Sequence, residues 1–255
     1  MDSSQTPAGS NSSRGKRPSR KLFLVVLGAL VLAVAAGGAY GAWYILIGPA
    51  SPVAVTSGAP VIPAGASVPA PASLDGSWQV SDSVGTFGDF SSSWVGYQVQ
   101  EKLAGIGGHT AVGRTPKVTG SMTLTGGSVG DVQITANLAA LVSDDSRRDN
   151  ELRNTPIETG TFPTAMFKTT QPVVLTLPAE GQVATVTATG ALSLHGVTKN
   201  VQIGLQALRQ GGIVAVTGSV DIVFADYGFQ GPTNLAVISV EDHGIMELHL
   251  LFTHA

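Results

Sequence analysis

No cysteine occurs in the 255 residues. This absence excludes disulfides, thiolate metal sites, a cysteine nucleophile and an acylated lipoprotein anchor. Charge is scarce as well: Asp, Glu, Lys and Arg make up 12% of the chain, and aromatic residues only 6%. The folded part must therefore be stable from an aliphatic core alone. There is no HExxH, no GxGxxG and no P-loop. The five histidines, His109, His195, His243, His249 and His254, are scattered. No catalytic set, cofactor site or metal site is expected, and the chain does not read as an enzyme. Glu241-Asp242-His243 reads as a solvated turn, with a small metal site as the alternative.

One long hydrophobic run is present, near the N-terminus. Arg14, Lys16, Arg17, Arg20 and Lys21 form a basic cluster in residues 1–21, and residues 22–47 then carry no charge. As a helix this run would extend roughly 39 Å, more than the roughly 30 Å hydrocarbon core of a bilayer. Tilt and the interfacial residues Tyr40, Trp43 and Tyr44 can absorb the excess. The expectation is one transmembrane helix with a cytoplasmic basic tail and everything after residue 48 extracytoplasmic. A cleaved signal peptide is the alternative, but the apolar run resumes at Trp43-Tyr44-Ile45-Leu46-Ile47, past the small residues a peptidase would use. Ala33, Gly37 and Gly41 lie four apart, a spacing that can bring two helices together but is also common in single membrane spans.

Residues 48–75 change composition abruptly. Pro49, Pro52, Pro60, Pro63, Pro69 and Pro71 are mixed with Ala, Val, Ser and Gly. Proline removes donors and fixes φ, so neither helix nor sheet is expected, and the segment reads as a semi-extended spacer. The part after the apolar run holds nine of the 14 Lys and Arg but 16 of the 17 Asp and Glu. That excess of acid argues against nucleic acid or an anionic membrane surface as partner.

From residue 76 to 255 the pattern is period two with turn punctuation. Val95, Tyr97 and Val99 share one side of a strand. Val132, Ile134, Ala136 and Leu138 share one, as do Val186, Ala188, Gly190, Leu192 and Leu194. Val214, Val216, Gly218, Val220, Ile222 and Phe224 do so next, and finally Met246, Leu248, Leu250 and Phe252. Glu247, His249 and Thr253 take the opposite, wet face of that last strand. No long helical pattern intervenes, so the expected fold is all-β, a roughly eight-stranded antiparallel barrel with a short helix. Such a barrel is either filled by side chains or just wide enough for one ligand. The small inward residues Ala136, Ala188, Gly190 and Gly218 leave room for a ligand.

The densest charged stretch is Asp144–Phe167, in which Asp, Arg-Asp and Leu-Arg pairs run into Phe162-Pro163-Thr164-Ala165-Met166-Phe167. A second block is Leu192-Ser193-Leu194-His195-Gly196-Val197-Thr198-Lys199. Together they resemble the YceI-like family over roughly residues 76–255. Asn150-Glu151 stands where the family pattern often carries a histidine. Gly76-Ser77-Trp78 resembles the Gly-x-Trp of lipocalins, in which the tryptophan plugs one end of the barrel. The resemblance implies a lipocalin-like barrel that sequesters or carries a polyisoprenoid or other long-chain lipid, with homodimers known in the family.

With the lipid reading, the expected tunnel residues are Tyr97, Val99, Met122, Leu124, Ile134, Leu138, Phe162, Met166, Phe167, Leu192, Phe224 and Leu248. Arg148, Arg153 and His195 are the candidates for a polar head group, since a pyrophosphate or carboxylate would suit arginine. The competing reading of Asp144–Arg153 is a solvated capping helix with Asp149 and Arg153 paired at i, i+4. A filled barrel acting as a surface protein-interaction module is the alternative function.

Overall fold

The computed structural model describes residues 58–105, 107–175, 179–231 and 237–255. The apolar segment 22–47 and the first part of the spacer fall outside these residues. Among the described residues no helix is long and apolar enough to cross a membrane.

Thirteen strands are described: β1 (Gly76–Val80), β2 (Trp94–Leu103), β3 (Gly107–Thr115), β4 (Val118–Thr125), β5 (Ser128–Asn137), β6 (Val142–Ser143), β7 (Thr164–Thr169), β8 (Val173–Val174), β9 (Val183–Leu194), β10 (Val197–Gln210), β11 (Ile213–Val223), β12 (Val237–Val240) and β13 (His243–His254). Antiparallel pairing runs β1-β4-β5-β7-β9-β10-β11-β13, and β13 returns to β1. The result is a closed eight-stranded barrel. Along its edge opposite β11, strand β13 serves two neighbours: Ile245–His249 pairs with β2, and Phe252–His254 with β1. From β2 the sheet continues through β3 to β6. The side of the wall beyond β6 is completed by a 3-10 turn (Leu138–Ala140) and by α1 (Ser146–Asn154).

Turn chemistry sets the register. Gly126-Gly127 joins β4 to β5, and His195-Gly196 joins β9 to β10; in both, each residue has positive φ. Two-residue loops of this kind match the right-handed twist of paired strands. Helix α1 begins at Asp145, whose carboxylate accepts a hydrogen bond from the Arg147 amide at 2.9 Å. Partial burial pushes the Asp145 pKa up, but the Arg147 hydrogen bonds outweigh it and hold the carboxyl below its usual value. The expected Asp149–Arg153 pair is not what anchors the helix. Asp149 accepts from the Ser143 amide, while Arg153 donates to the carbonyl oxygens of Ala139 and Leu141 and to Asn150. A carbonyl within reach satisfies a guanidinium as well as a surface carboxylate does, and fixes the helix to the wall.

The proline segment does not hang free over its described length. Ile62, Ala66 and Val68 pack on Val84, Ile213, Ala215 and Leu251 on the outside of the barrel. The Thr217 hydroxyl donates to the Gly58 carbonyl, and the Gly212 amide donates to that of Val68. Prolines remove donors from this strap, but its carbonyls accept from the barrel and its aliphatic side chains bury. The spacer reading of 48–75 is corrected accordingly: residues 58–74 are part of the folded unit.

A second correction concerns the outer face of β13. Glu247 and His249 were expected to be wet, yet Glu247 is 0% exposed and lies 2.9 Å from Arg114 Nη2, itself 2% exposed. Gln98 Nε2 donates to the other carboxylate oxygen at 2.7 Å. The guanidinium carbon sits 4.0 Å from the Trp94 ring and 4.6 Å from the Phe90 ring. Glu247, Gly96 and Arg114 occupy one row across β13, β2 and β3. A Cβ at Gly96 would meet Arg114 Cγ at 2.7 Å, so this glycine lets the arginine cross to its partner. The connection between β1 and β2, which carries Phe90, lies over this layer.

Candidate functional site

The interior of the barrel is hollow. Two adjoining chambers of about 130 and 140 Å³ occupy it. One water needs roughly 10–15 Å³ of such space, so each chamber has room for about ten water-sized groups. Val95, Ala165 and Met246 border both chambers. Methionine is flexible enough to swing aside and join them.

The first chamber is lined entirely by apolar residues. Strands β9, β10 and β11 supply Val186, Ala188, Leu192, Ile203, Leu205, Val214 and Val216; β13 supplies Leu248, Leu250 and Phe252. These are the inward positions that alternation predicts. Ala136, Ala165, Ala188 and Ala207 are the small residues that keep its walls apart. Trp78, 0% exposed, packs with Met122, Leu124, Leu250 and Phe252 as a core plug, and its indole N–H donates to the Leu74 carbonyl.

The second chamber has a different wall. Val99, Leu138, Leu141, Leu152, Ile157, Ile222 and Phe224 are apolar, but Tyr97, Glu101, Thr115 and Arg148 also line it. Arg148 donates to Asp144 and, at 3.0 Å, to Glu101, whose same oxygen lies 3.0 Å from His109 Nδ1. Burial works against the arginine's charge, but Glu101 and Asp144 more than offset it and its pKa stays above the usual value. Tyr97 lies over Gly113, where any Cβ would overlap the ring. Its hydroxyl is buried and finds no hydrogen-bond partner among the described residues. Burial pushes its pKa up, so it remains a neutral phenol and a donor.

Of the expected tunnel residues, Met122, Ile134, Met166, Phe167, Leu192 and Leu248 border the first chamber, and Tyr97, Val99, Leu138 and Phe224 the second. Met166 does so from the outward side of β7 and is 40% exposed. Leu124 and Phe162 line neither. Leu124 is buried in the cluster around Trp78. Phe162 precedes β7 and packs tilted against His195, with ring centroids 4.3 Å apart.

Of the polar candidates only Arg148 reaches a chamber. Arg153 is occupied by backbone carbonyls. His195 sits in the β9–β10 turn, bonded through Nδ1 to the Tyr227 carbonyl and through Nε2 to Glu158. It ties two segments that cover the second chamber, those carrying Ile157 and Phe229. Sequence reasoning did not single out Glu101, which is 47 residues from Arg148 and has no motif around it.

No group of three or more His, Asp or Glu residues that could hold a metal occurs among the described residues. His243 is paired with its exposed neighbours Asp242 and Glu241. Gly126-Gly127-Ser128-Val129-Gly130 has GxSxG spacing, but it forms the β4–β5 hairpin, whereas a nucleophile elbow needs a strand-to-helix turn.

Comparison with known proteins gives one family and one fold. The YceI-like domain matches residues 80–252. A solved polyisoprenoid-binding domain from Saccharophagus degradans, implicated in plant cell wall breakdown, is 18% identical, with a TM-score of 0.50 over 64% of this chain and 94% of that one. BcnA of Burkholderia cenocepacia is 17% identical, with a TM-score of 0.46 over 62% of this chain and 95% of that one. The Campylobacter jejuni YceI protein is 15% identical, with a TM-score of 0.47 over 56% of this chain and 84% of that one. No curated protein matches the sequence.

Proposed function

Because this chain belongs to the YceI-like family, we propose that its barrel binds a polyisoprenoid or other long-chain lipid, holding the chain along the two joined chambers. The observation that carries this reading is the hollow itself, a closed barrel whose first chamber is lined by apolar residues alone. A filled barrel, as a pure protein-interaction module would have, does not match it.

Energetics favour a long ligand over a short one. Burying ten methylenes gains about 8 kcal/mol gross at about 0.8 kcal/mol each. Association itself costs on the order of 4–15 kcal/mol. A chain filling only one chamber would therefore be held weakly, whereas one threading both gains enough for stable retention. No hydrogen bond is needed along the first chamber, which makes it tolerant of chain identity and selective for length.

We place this binding outside the cytoplasm, with residues 22–47 as a single membrane span. The basic cluster before that segment supports the orientation.

Mass spectrometry of organic extracts from the full chain tests the proposal. The expected result is a co-purified long-chain lipid in near-stoichiometric amount, absent from a control membrane protein prepared the same way. A preparation that carries no such lipid and takes none up from an isoprenoid mixture would rule the function out.

A further inference from the structure

The two chambers differ at one end, and the difference bears on what the lipid carries there. Resting on the lipid-binding reading above, we infer that the second chamber receives a neutral, oxygen-bearing head group, a hydroxyl or carbonyl, which accepts a hydrogen bond from the Tyr97 hydroxyl, and that it rejects phosphate and carboxylate heads.

Three observations converge. First, the Tyr97 hydroxyl is a buried donor with no acceptor among the described residues. A buried polar group left unpaired is costly, and native structures carry few of them without a reason. The Tyr97 ring lies over Gly113 and packs against Leu138 and Leu141 from the segment leading to α1. Tyr97 borders the second chamber, and a turn of the phenol from Gly113 toward it brings the hydroxyl to a ligand's oxygen.

Second, the single cation in this lining is already neutralised. Arg148 is bonded to both Glu101 and Asp144. Third, a further buried carboxylate, Asp149, stands on the same helix and is satisfied by the Ser143 amide. With Glu101, Asp144 and Asp149 against one arginine, carboxylates outnumber cations at this end of the chamber. An anionic head would have to displace a carboxylate from Arg148 in a low-dielectric pocket. An alcohol or carbonyl only has to accept from Tyr97. The arginine-to-pyrophosphate pairing that the sequence suggests is thus replaced by a phenol-to-oxygen hydrogen bond.

The test is a competition read by native mass spectrometry on the delipidated full chain in detergent micelles. The probes are geranylgeraniol, the same hydrocarbon without its hydroxyl, and geranylgeranyl pyrophosphate. The alcohol should be retained over the hydrocarbon by roughly three- to tenfold, the worth of one buried hydrogen bond, with the pyrophosphate excluded. Tyr97→Phe should still take up the hydrocarbon and lose the preference for the alcohol. Its ligand-free form should melt no lower than wild type, because the substitution removes an unpaired hydroxyl. Glu101→Gln, which frees one side of Arg148, should begin to admit the pyrophosphate. Pyrophosphate prevailing in the wild type, or an alcohol preference unchanged in Tyr97→Phe, would overturn the inference while leaving lipid binding intact. Uptake of none of the three would remove both.

Discussion

The two faces of strand β13 are both buried, and they are buried for different purposes. Inward, Met246, Leu248, Leu250 and Phe252 border the hollow. Outward, Glu247 and His249 lie in a closed polar layer with Arg114, Gln98 and Trp94. The inward face is loosely occupied and chemically uniform; the outward face is fully packed, charged and held by directional bonds. A hollow barrel cannot draw its whole stability from its centre. The fold moves part of its core outside, under the strap and the β1–β2 connection, and leaves the interior hollow.

The largest effect that would separate the two faces is removal of the outward charge. Glu247→Ala takes from the buried Arg114 the carboxylate oxygen to which its Nε and Nη2 both donate, and breaking such a pair costs roughly 3–5 kcal/mol. Leu248→Ala, one residue along, should cost about 2 kcal/mol or less, the low end for such truncations, because the side chain already faces a void and fewer atoms lose contact. Urea unfolding of the two variants measures the contrast. Equal losses would show that the division between stability and binding along β13 is wrong.

A substitution on the inward face should give the opposite signature. Ala188→Phe projects a benzyl group into the first chamber from the centre of β9. Blocking four methylenes of a bound chain would remove about 3 kcal/mol, roughly a hundredfold in affinity. The added ring fills existing space, so the unfolding midpoint should hold or rise. Retention of full lipid uptake by Ala188→Phe would mean that the chain does not pass this point.

The inward face was largely legible in the sequence, and the outward one was not. Alternation along β9, β11 and β13 names the chamber walls directly, because side-chain period and the position of the hollow coincide. The turns at Gly126-Gly127 and His195-Gly196 preserve that register. No periodicity announces that Glu247 is dry. Its burial depends on Gly96 opening a row to Arg114 and on two irregular segments, residues 58–74 and the β1–β2 connection, coming to rest on the sheet. Proline-rich composition made the first of these read as spacer. Leu124 and Phe162 shared the apolar character of the wall but sit at the Trp78 plug and beside His195. Arg153 was named for its charge, which the carbonyls of Ala139 and Leu141 absorb.

The smallest expected effect lies on the outward face and depends on pH. Burial holds the pKa of His249 below its usual 6.5; a backbone hydrogen bond at Ser91 opposes this, and the charge of Arg114 adds to it. In the unfolded chain the imidazole regains its ordinary affinity for protons. Between the two pKa values the unfolded state therefore binds more protons than the folded one, and stability falls as the pH drops below about 6.5. Above that value the contribution is complete. Urea midpoints of the wild type at about pH 7.5 and about pH 5.5 should differ, and His249→Gln, which cannot protonate, should narrow that difference. Leu248→Ala should lower both midpoints by the same amount, since it removes no titratable group. If His249→Gln keeps the full wild-type pH dependence, the imidazole is not what links this layer to pH, and its burial under the β1–β2 connection is less complete than its 5% exposure indicates.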